Sequence, residues 1–256
     1  MVITMRLYRE SSLRKKADEP TIRMLDLWRS LSKEILGVPI EVMIGNRREH
    51  PQLRSFQGEL HTAAPHIVEG KPVLVLWVDS TNRVSPLIIT HELGHWILKL
   101  QGFHSLIYQP DKHCNEEILL NSMAHHPPLY NLQRSVGHDP LQEINSRANH
   151  NIAVFSREKE SPRRKDQIRN ALMLADDIMN CSQEEEDELK KVLMNKHPRT
   201  MRFIKEIQII ALRHDLMDPE DNMKFSKAVV KKLKMGKEWY EANEVNELRK
   251  IVEKVS

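Results

Sequence analysis

Cysteine is scarce in this sequence, because the 256 residues include only Cys114 and Cys181. Two cysteines provide no disulfide framework, and neither belongs to a CxxC or CxxxC pair that could hold zinc. The first residues lack the apolar core of a signal peptide, and no apolar run approaches the roughly 18–20 residues that a membrane span needs. We therefore expect a soluble, cytoplasmic protein with free thiols.

The chain also lacks a dominant charge. It carries 39 Lys and Arg against 36 Asp and Glu, which gives a formal net charge of +3. This balance gives no strong reason to expect nucleic acid or an anionic membrane as the main partner, and basic residues are not interleaved with aromatic ones. The chain is 40% hydrophobic, which is enough apolar material for a folded core.

The patterning of apolar residues divides the chain into three parts. Residues 1–17 show no periodicity and are expected to form an N-terminal arm. Residues 18–135 combine helical spacing with short apolar strands, whereas residues 136–256 contain helical segments separated by Pro, Gly, Asn or Ser. The predicted fold class is therefore α+β, with a mixed front half followed by an all-helical C-terminal region.

Three short segments of the front half are predicted to form a small sheet. They are residues 39–44, 58–68 and 73–78, and Glu69-Gly70 is the expected hairpin turn between the last two. The segment 73–78 is apolar at every position. Such a run is typical of an interior strand that is covered on both faces.

A helix is predicted to begin at Ser85-Pro86 and to end before Gly102, with serine as the N-cap and proline at the first helical position. Apolar residues surround this helix almost completely, which indicates a buried position. Inside it, residues 91–95 read His-Glu-Leu-Gly-His. Polar side chains in such a helix would be costly to bury without a partner.

The spacing of this motif predicts a zinc site. Because His91 and His95 are four residues apart, both imidazoles project from one helix face and can bind a single Zn²⁺. Glu92 lies beside them and is the expected general base, which takes a proton from an activated water and delivers it to the leaving amine. The motif therefore predicts a zinc-dependent peptidase with one Zn²⁺ per chain.

Two histidines leave such an ion short of a third protein ligand. The HExxHxxGxxH pattern of metzincins is excluded, because Leu98 and Gln101 occupy its last two conserved positions. A second helix is predicted from about residue 115 to 124, and its Glu117 is the expected third ligand, as in gluzincins. Asn121, one turn after Glu117, is placed to hydrogen-bond a ligand histidine. The alternatives that stay open are Glu116, His104 and His113.

Other polar residues are weaker candidates for the site. The pair His125-His126 precedes Pro127-Pro128, where the second helix is expected to stop. These histidines, Tyr108 and Tyr130 are candidates for stabilising the oxyanion of the reaction. Nothing in the sequence itself places them near the metal.

The order of elements around the motif resembles that of the ImmA/IrrE-type metallopeptidases. The resemblance covers residues 20–130 and includes Ile-Ile-Thr-His-Glu-Leu-Gly-His-Trp-Ile-Leu at 88–98. In the family's E-x-x-A-N-x-F-A segment, Glu117, Asn121 and Ala124 match, whereas the alanine and phenylalanine are replaced by Leu120 and Met123. The resemblance implies a minimal zincin-like domain in a cytoplasmic protease, with a helix-turn-helix transcriptional regulator as its protein substrate.

The remaining interpretations concern substrate and partner binding. The edge of the small sheet, residues 58–68, is expected to bind a substrate segment by strand addition. The helical region 136–256 is interpreted as a bundle, or as a module for substrate recognition or regulation. Two rival hypotheses are a non-catalytic regulator, whose zinc only stabilises the fold while the helical half binds a partner, and a hydrolase of non-peptide amides.

Overall fold

The computed structural model of this chain describes residues 7–49, 62–79, 85–108, 115–236 and 238–255. The chain forms two compact units that alternate along the sequence instead of meeting at one boundary. Unit 1 comprises Met1–Gln101, Leu132–His138 and Asn243–Ser256. Unit 2 comprises Gly102–Asn131 and Asp139–Ala242.

Unit 1 contains a four-stranded mixed sheet. Its strands are β1 (Leu7–Arg9), β2 (Glu41–Asn46), β3 (Thr62–Val68) and β4 (Lys71–Val78), in the order β1-β2-β4-β3. The β2–β4 pair is parallel and the other two pairs are antiparallel. Strand β4 is interior and its residues 73–78 are buried, so the prediction from its unbroken apolar run is confirmed. Glu69 and Gly70 have φ values of 51° and 71° and form the predicted turn.

The start of the described chain belongs to this sheet, whereas the sequence suggested an arm over residues 1–17. Strand β1 pairs with β2, and the short helix α1 (Glu10–Arg14) follows it directly. Glu10 is buried and accepts a hydrogen bond from the backbone N–H of Val42 at 3.0 Å. Elements this short show no periodic pattern in the sequence, so they can be recognised only from the strands and side chains that they contact.

Three helices of unit 1 share one apolar core with the sheet. They are α2 (Glu19–Leu36), α3 (Pro86–Leu100) and α10 (Val245–Val255). The core includes Trp28, Leu76, Leu93, Ile97 and Leu248, each almost completely buried. The helix predicted around the His-Glu-Leu-Gly-His segment is therefore confirmed as α3.

Unit 2 is mainly helical. Its helices are α5 (Leu141–Arg157), α6 (Arg164–Asn180), α7 (Gln183–Lys196), α8 (Pro198–Ala211) and α9 (Pro219–Lys232), together with most of α4 (Asn115–Val136). Helices α5 to α9 confirm the helical segments predicted beyond residue 136. The expectation of a wholly helical C-terminal region is wrong at one place, because β6 (Trp239–Ala242) pairs antiparallel with β5 (Ser105–Tyr108).

Helix α4 continues past the two prolines at which it was predicted to stop. Proline cannot donate a backbone hydrogen bond, so Pro128 leaves the carbonyl of Ala124 without its helical partner. The buried side-chain amide of Asn222, on α9, donates to this carbonyl at 2.7 Å. A contact from nearly 100 residues away thus compensates the lost bond. This is why the local sequence gave the wrong end point.

The described parts of the chain therefore combine a small mixed sheet with a helical C-terminal region, as the α+β class requires. Every helix among them is too short or too polar to cross a lipid bilayer.

Candidate functional site

In unit 1, helix α3 presents the two motif histidines side by side. The ring centroids of His91 and His95 are 4.9 Å apart, with an interplanar angle of 82°. Both residues are half-buried, whereas Leu93 and Ile97 of the same helix are completely buried in the core. The apolar side of α3 therefore fixes the direction in which the histidine pair points.

Glu92 lies between the core and the histidine face of α3. Its carboxyl group is densely surrounded by protein atoms, and this burial raises its pKa to about 7, against a smaller lowering by Lys99. Lys99 itself pairs with Glu244 at 3.1 Å. A carboxyl group with a pKa near neutrality can both accept and return a proton.

A chain of hydrogen bonds holds the N-terminal half of α3 in unit 1. The hydroxyl of Thr90 lies 3.1 Å from Nδ1 of His138 and accepts from the amide of Gln133 at 3.0 Å. His138 contacts Asp18 through its other ring nitrogen at 2.9 Å. Because Thr90 immediately precedes His91, these contacts orient the first motif histidine. Their partners are distant in sequence, which is why they were not anticipated.

In unit 2, Glu117 and Asn121 both contact strand β5. A carboxylate oxygen of Glu117 accepts from the backbone N–H of Tyr108 at 2.8 Å. The amide of Asn121 accepts from the N–H of Leu106 at 2.8 Å and donates to its carbonyl at 3.1 Å. Glu117, which the sequence suggested as the third zinc ligand, and Asn121, which it suggested as a support for a ligand histidine, thus hold strand β5 against α4.

The alternative ligands have other contacts. His104 bonds to Glu241 at 2.7 Å, and buried Glu116 lies 3.7 Å from Lys165. His125 contacts the backbone carbonyl of His104 at 3.1 Å. His113 lies outside the described residues.

His126 is the histidine of α4 whose surroundings resemble those of a metal ligand. It is buried, its Nδ1 lies 2.7 Å from a carboxylate oxygen of Asp176, and its ring lies 5.0 Å from that of Tyr130. A carboxylate on one nitrogen of an imidazole fixes the ring orientation and the tautomer, and it makes the other nitrogen more basic.

The carboxylate behind His126 belongs to a buried polar network. Arg147 donates to Asp176 at 2.8 Å and also binds Asp177, which accepts from Asn151 at 2.6 Å. Although burial alone would lower the pKa of Arg147, Asp176 and the neighbouring groups outweigh it and raise the pKa. The single guanidinium group of Arg147 thus binds two carboxylates, and burial raises the pKa of Asp177 against the opposing effect of Arg147.

Two signals in the sequence could have pointed to His126. Asp176 and Asp177 stand in a helix whose other residues include Leu172, Leu174 and Ile178, and buried acids require a partner. A helical continuation through Pro127-Pro128 would also have placed His126 and Tyr130 one turn apart on the same face.

Comparison with known proteins returned no matching family model, no matching curated protein and no matching solved structure.

Proposed function

We propose that this chain is a zinc-dependent peptidase in which His91 and His95 of unit 1 hold one Zn²⁺ and Glu92 is the general base. The observation that carries the proposal is the His-Glu-Leu-Gly-His face of α3, where the two imidazole rings lie side by side and the carboxyl group of Glu92 is buried next to them. Neutral imidazoles are good zinc ligands. A catalytic zinc site takes a third protein ligand and keeps a fourth coordination position open for water.

The proposed reaction is the hydrolysis of a peptide bond. A bound zinc ion would supply Lewis-acid activation of a water molecule and of the substrate carbonyl. Glu92 removes a proton from the water as it attacks and then delivers that proton to the amide nitrogen, so that the C–N bond breaks and a neutral amine leaves. Unit 1 is then the catalytic part of a minimal zincin-like domain.

Strand β3 is the proposed binding edge for the substrate. In the described sheet it lies at one end of the strand order, and Ile67 is 47% exposed. The carbonyl of Ala63 accepts from the indole of Trp96 at 3.1 Å, so it points away from β4. Because backbone groups alternate along an antiparallel strand, Pro65 and Ile67 also turn their carbonyls toward the outer edge. Ile67 also points its backbone N–H outward, where it can donate a hydrogen bond to a substrate carbonyl.

This geometry predicts that Ile67→Pro weakens substrate binding. Proline at this position removes only the outward N–H and leaves the β3–β4 hydrogen bonds intact. We expect KM to rise about 3–10-fold, the effect of one hydrogen bond, with little change in kcat. Steady-state kinetics on a cleaved peptide measure this, and Ile67→Ala is the matched control for loss of the side chain. An equal rise of KM in both variants would contradict substrate binding at the edge of β3.

The proposed substrate is a protein, and a transcriptional regulator is the class that the resemblance to ImmA/IrrE-type enzymes implies. The proposed compartment is the cytoplasm, where cysteines stay reduced. Cys181 is a free thiol, and burial raises its pKa to about 11, which keeps it protonated and unreactive. Cys114 lies outside the described residues.

Metal removal tests the proposed activity as a whole. The full chain is incubated with a mixture of peptides of diverse sequence, and new peptide ends are read by mass spectrometry. We expect cleavage to be lost after chelation and restored by one equivalent of Zn²⁺, because the ion is required to activate the water. Zinc-loaded protein that cuts no peptide would overturn the proposal. In that case, binding of a partner protein would favour a non-catalytic regulator, and cleavage of small amides would favour a hydrolase of non-peptide amides.

A further inference from the structure

A cavity in unit 2 is separate from the residues of the proposed zinc site. It has a volume of about 250 Å³ and is lined by Tyr108 and Trp239 of the β5–β6 ribbon, Arg164 and Lys165 of α6, Glu116 of α4, and Lys234. All of these residues belong to unit 2. We name it the Trp239 cavity. None of its residues has a role in the proposed peptidase reaction.

The charge of the Trp239 cavity favours an anionic ligand. The cavity is lined by Arg164, Lys165, Lys234 and Glu116. Lys165 lies 3.7 Å from Glu116, so Arg164 and Lys234 are the cations in excess. Within the described residues, Lys234 forms no ion pair, and Arg164 donates to the carbonyl of Leu233 at 2.6 Å instead of to a carboxylate. The guanidinium group of Arg164 also lies 5.4 Å from the ring of Phe203. It is thereby held in place, and its remaining N–H groups suit a phosphate or carboxylate.

The aromatic residues of the cavity favour a planar ligand. The ring centroids of Tyr108 and Trp239 are 5.4 Å apart. Aromatic side chains stack on heterocyclic bases irrespective of base identity, because every base has a π-face. Glu116 is buried, and its carboxylate can accept hydrogen bonds from sugar hydroxyls.

The turn that carries Lys234 closes helix α9. Lys234 has φ 48°, and the N–H of Met235 donates to the carbonyl of Val230 at 3.1 Å, as in a Schellman turn at a helix C-terminus. Gly236 follows at φ 107° beside the ring of Tyr108. A Cβ on Gly236 would lie 3.6 Å from that ring. This turn brings the Lys234 side chain to the wall of the cavity.

We propose that the Trp239 cavity binds a small planar aromatic anion of the nucleoside monophosphate class. Arg164 and Lys234 bind the phosphate, Trp239 and Tyr108 stack on the base, and Glu116 accepts from the ribose hydroxyls. Ligand pockets of this kind combine apolar walls with a few convergent polar groups. This site is independent of the proposed zinc site and of peptide cleavage.

The test uses the full chain and three probes, namely 5′-AMP, adenosine and inorganic phosphate, with affinities measured by titration calorimetry. We expect 5′-AMP to bind at least about 10-fold more tightly than either of the other two, because each lacks one half of the recognised groups. No binding of 5′-AMP would overturn the proposal. Equal affinity for adenosine would overturn the anion site, and equal affinity for phosphate would overturn the stacking site.

Two lysine variants locate the binding. Lys234→Gln is expected to weaken 5′-AMP binding about 10-fold and to leave adenosine binding unchanged, because only the charge contact to the phosphate is lost. Lys232→Gln is the matched control, since Lys232 is near in sequence but does not line the cavity. Equal effects of the two variants would place the binding elsewhere. Thermal unfolding of each variant without ligand shows whether the fold is preserved.

Discussion

Replacement of Glu92 by glutamine is expected to lower peptide cleavage about 10²–10⁴-fold, the typical contribution of a positioned general acid–base group. Glutamine has nearly the same shape as glutamate but cannot take a proton from the attacking water. It also leaves the proposed ligands His91 and His95 unchanged, so the zinc content should remain one ion per chain. Cleavage rates together with metal analysis of the purified variant measure both effects.

Glu117→Gln is the control for this experiment, since it removes a carboxylate that contacts the backbone of β5. The proposal expects this variant to keep most of its cleavage activity. A Glu92→Gln protein that holds zinc and still cuts peptides at the normal rate would exclude Glu92 as the base. If neither the unchanged chain nor Glu92→Gln cuts peptides, and both keep their biological function, a non-catalytic role is favoured.

Substitution of His95 by alanine is expected to have the largest effect on zinc binding. The loss of an outer-shell partner typically lowers metal affinity about 10–100-fold, and loss of a direct ligand should exceed that. Competition with a chromophoric chelator measures the affinity of each variant. Glu117→Ala is measured beside it, because the sequence suggested Glu117 as a ligand. Unchanged zinc affinity in His95→Ala would exclude the histidine face of α3 as the metal site.

The elements that were predicted correctly are those with a strong local pattern. Helix α3 combines a proline at its first position with apolar residues on nearly every side, and β4 is an unbroken apolar run. The helices α5 to α9 follow from amphipathic spacing and from the breakers between them. In each case the residues needed for the prediction lie inside the element or next to it.

The elements that were missed depend on distant partners. Strands β1, β5 and β6 have three or four residues each, which is too few for a periodic signal. They exist because another strand supplies hydrogen bonds to their backbone, β2 for the first and the β5–β6 pairing for the others. The continuation of α4 depends in the same way on Asn222.

For the candidate site, the sequence by itself placed His91 and His95 on one face of one helix, because side chains four residues apart are neighbours there. It also suggested Glu117 as the third ligand from a motif match that includes Asn121, and this stays a prediction. Only the tertiary structure decided what these two residues contact, namely the backbone of β5. It alone joined His126 to Asp176, since a bond across 50 residues leaves no periodic trace in the sequence.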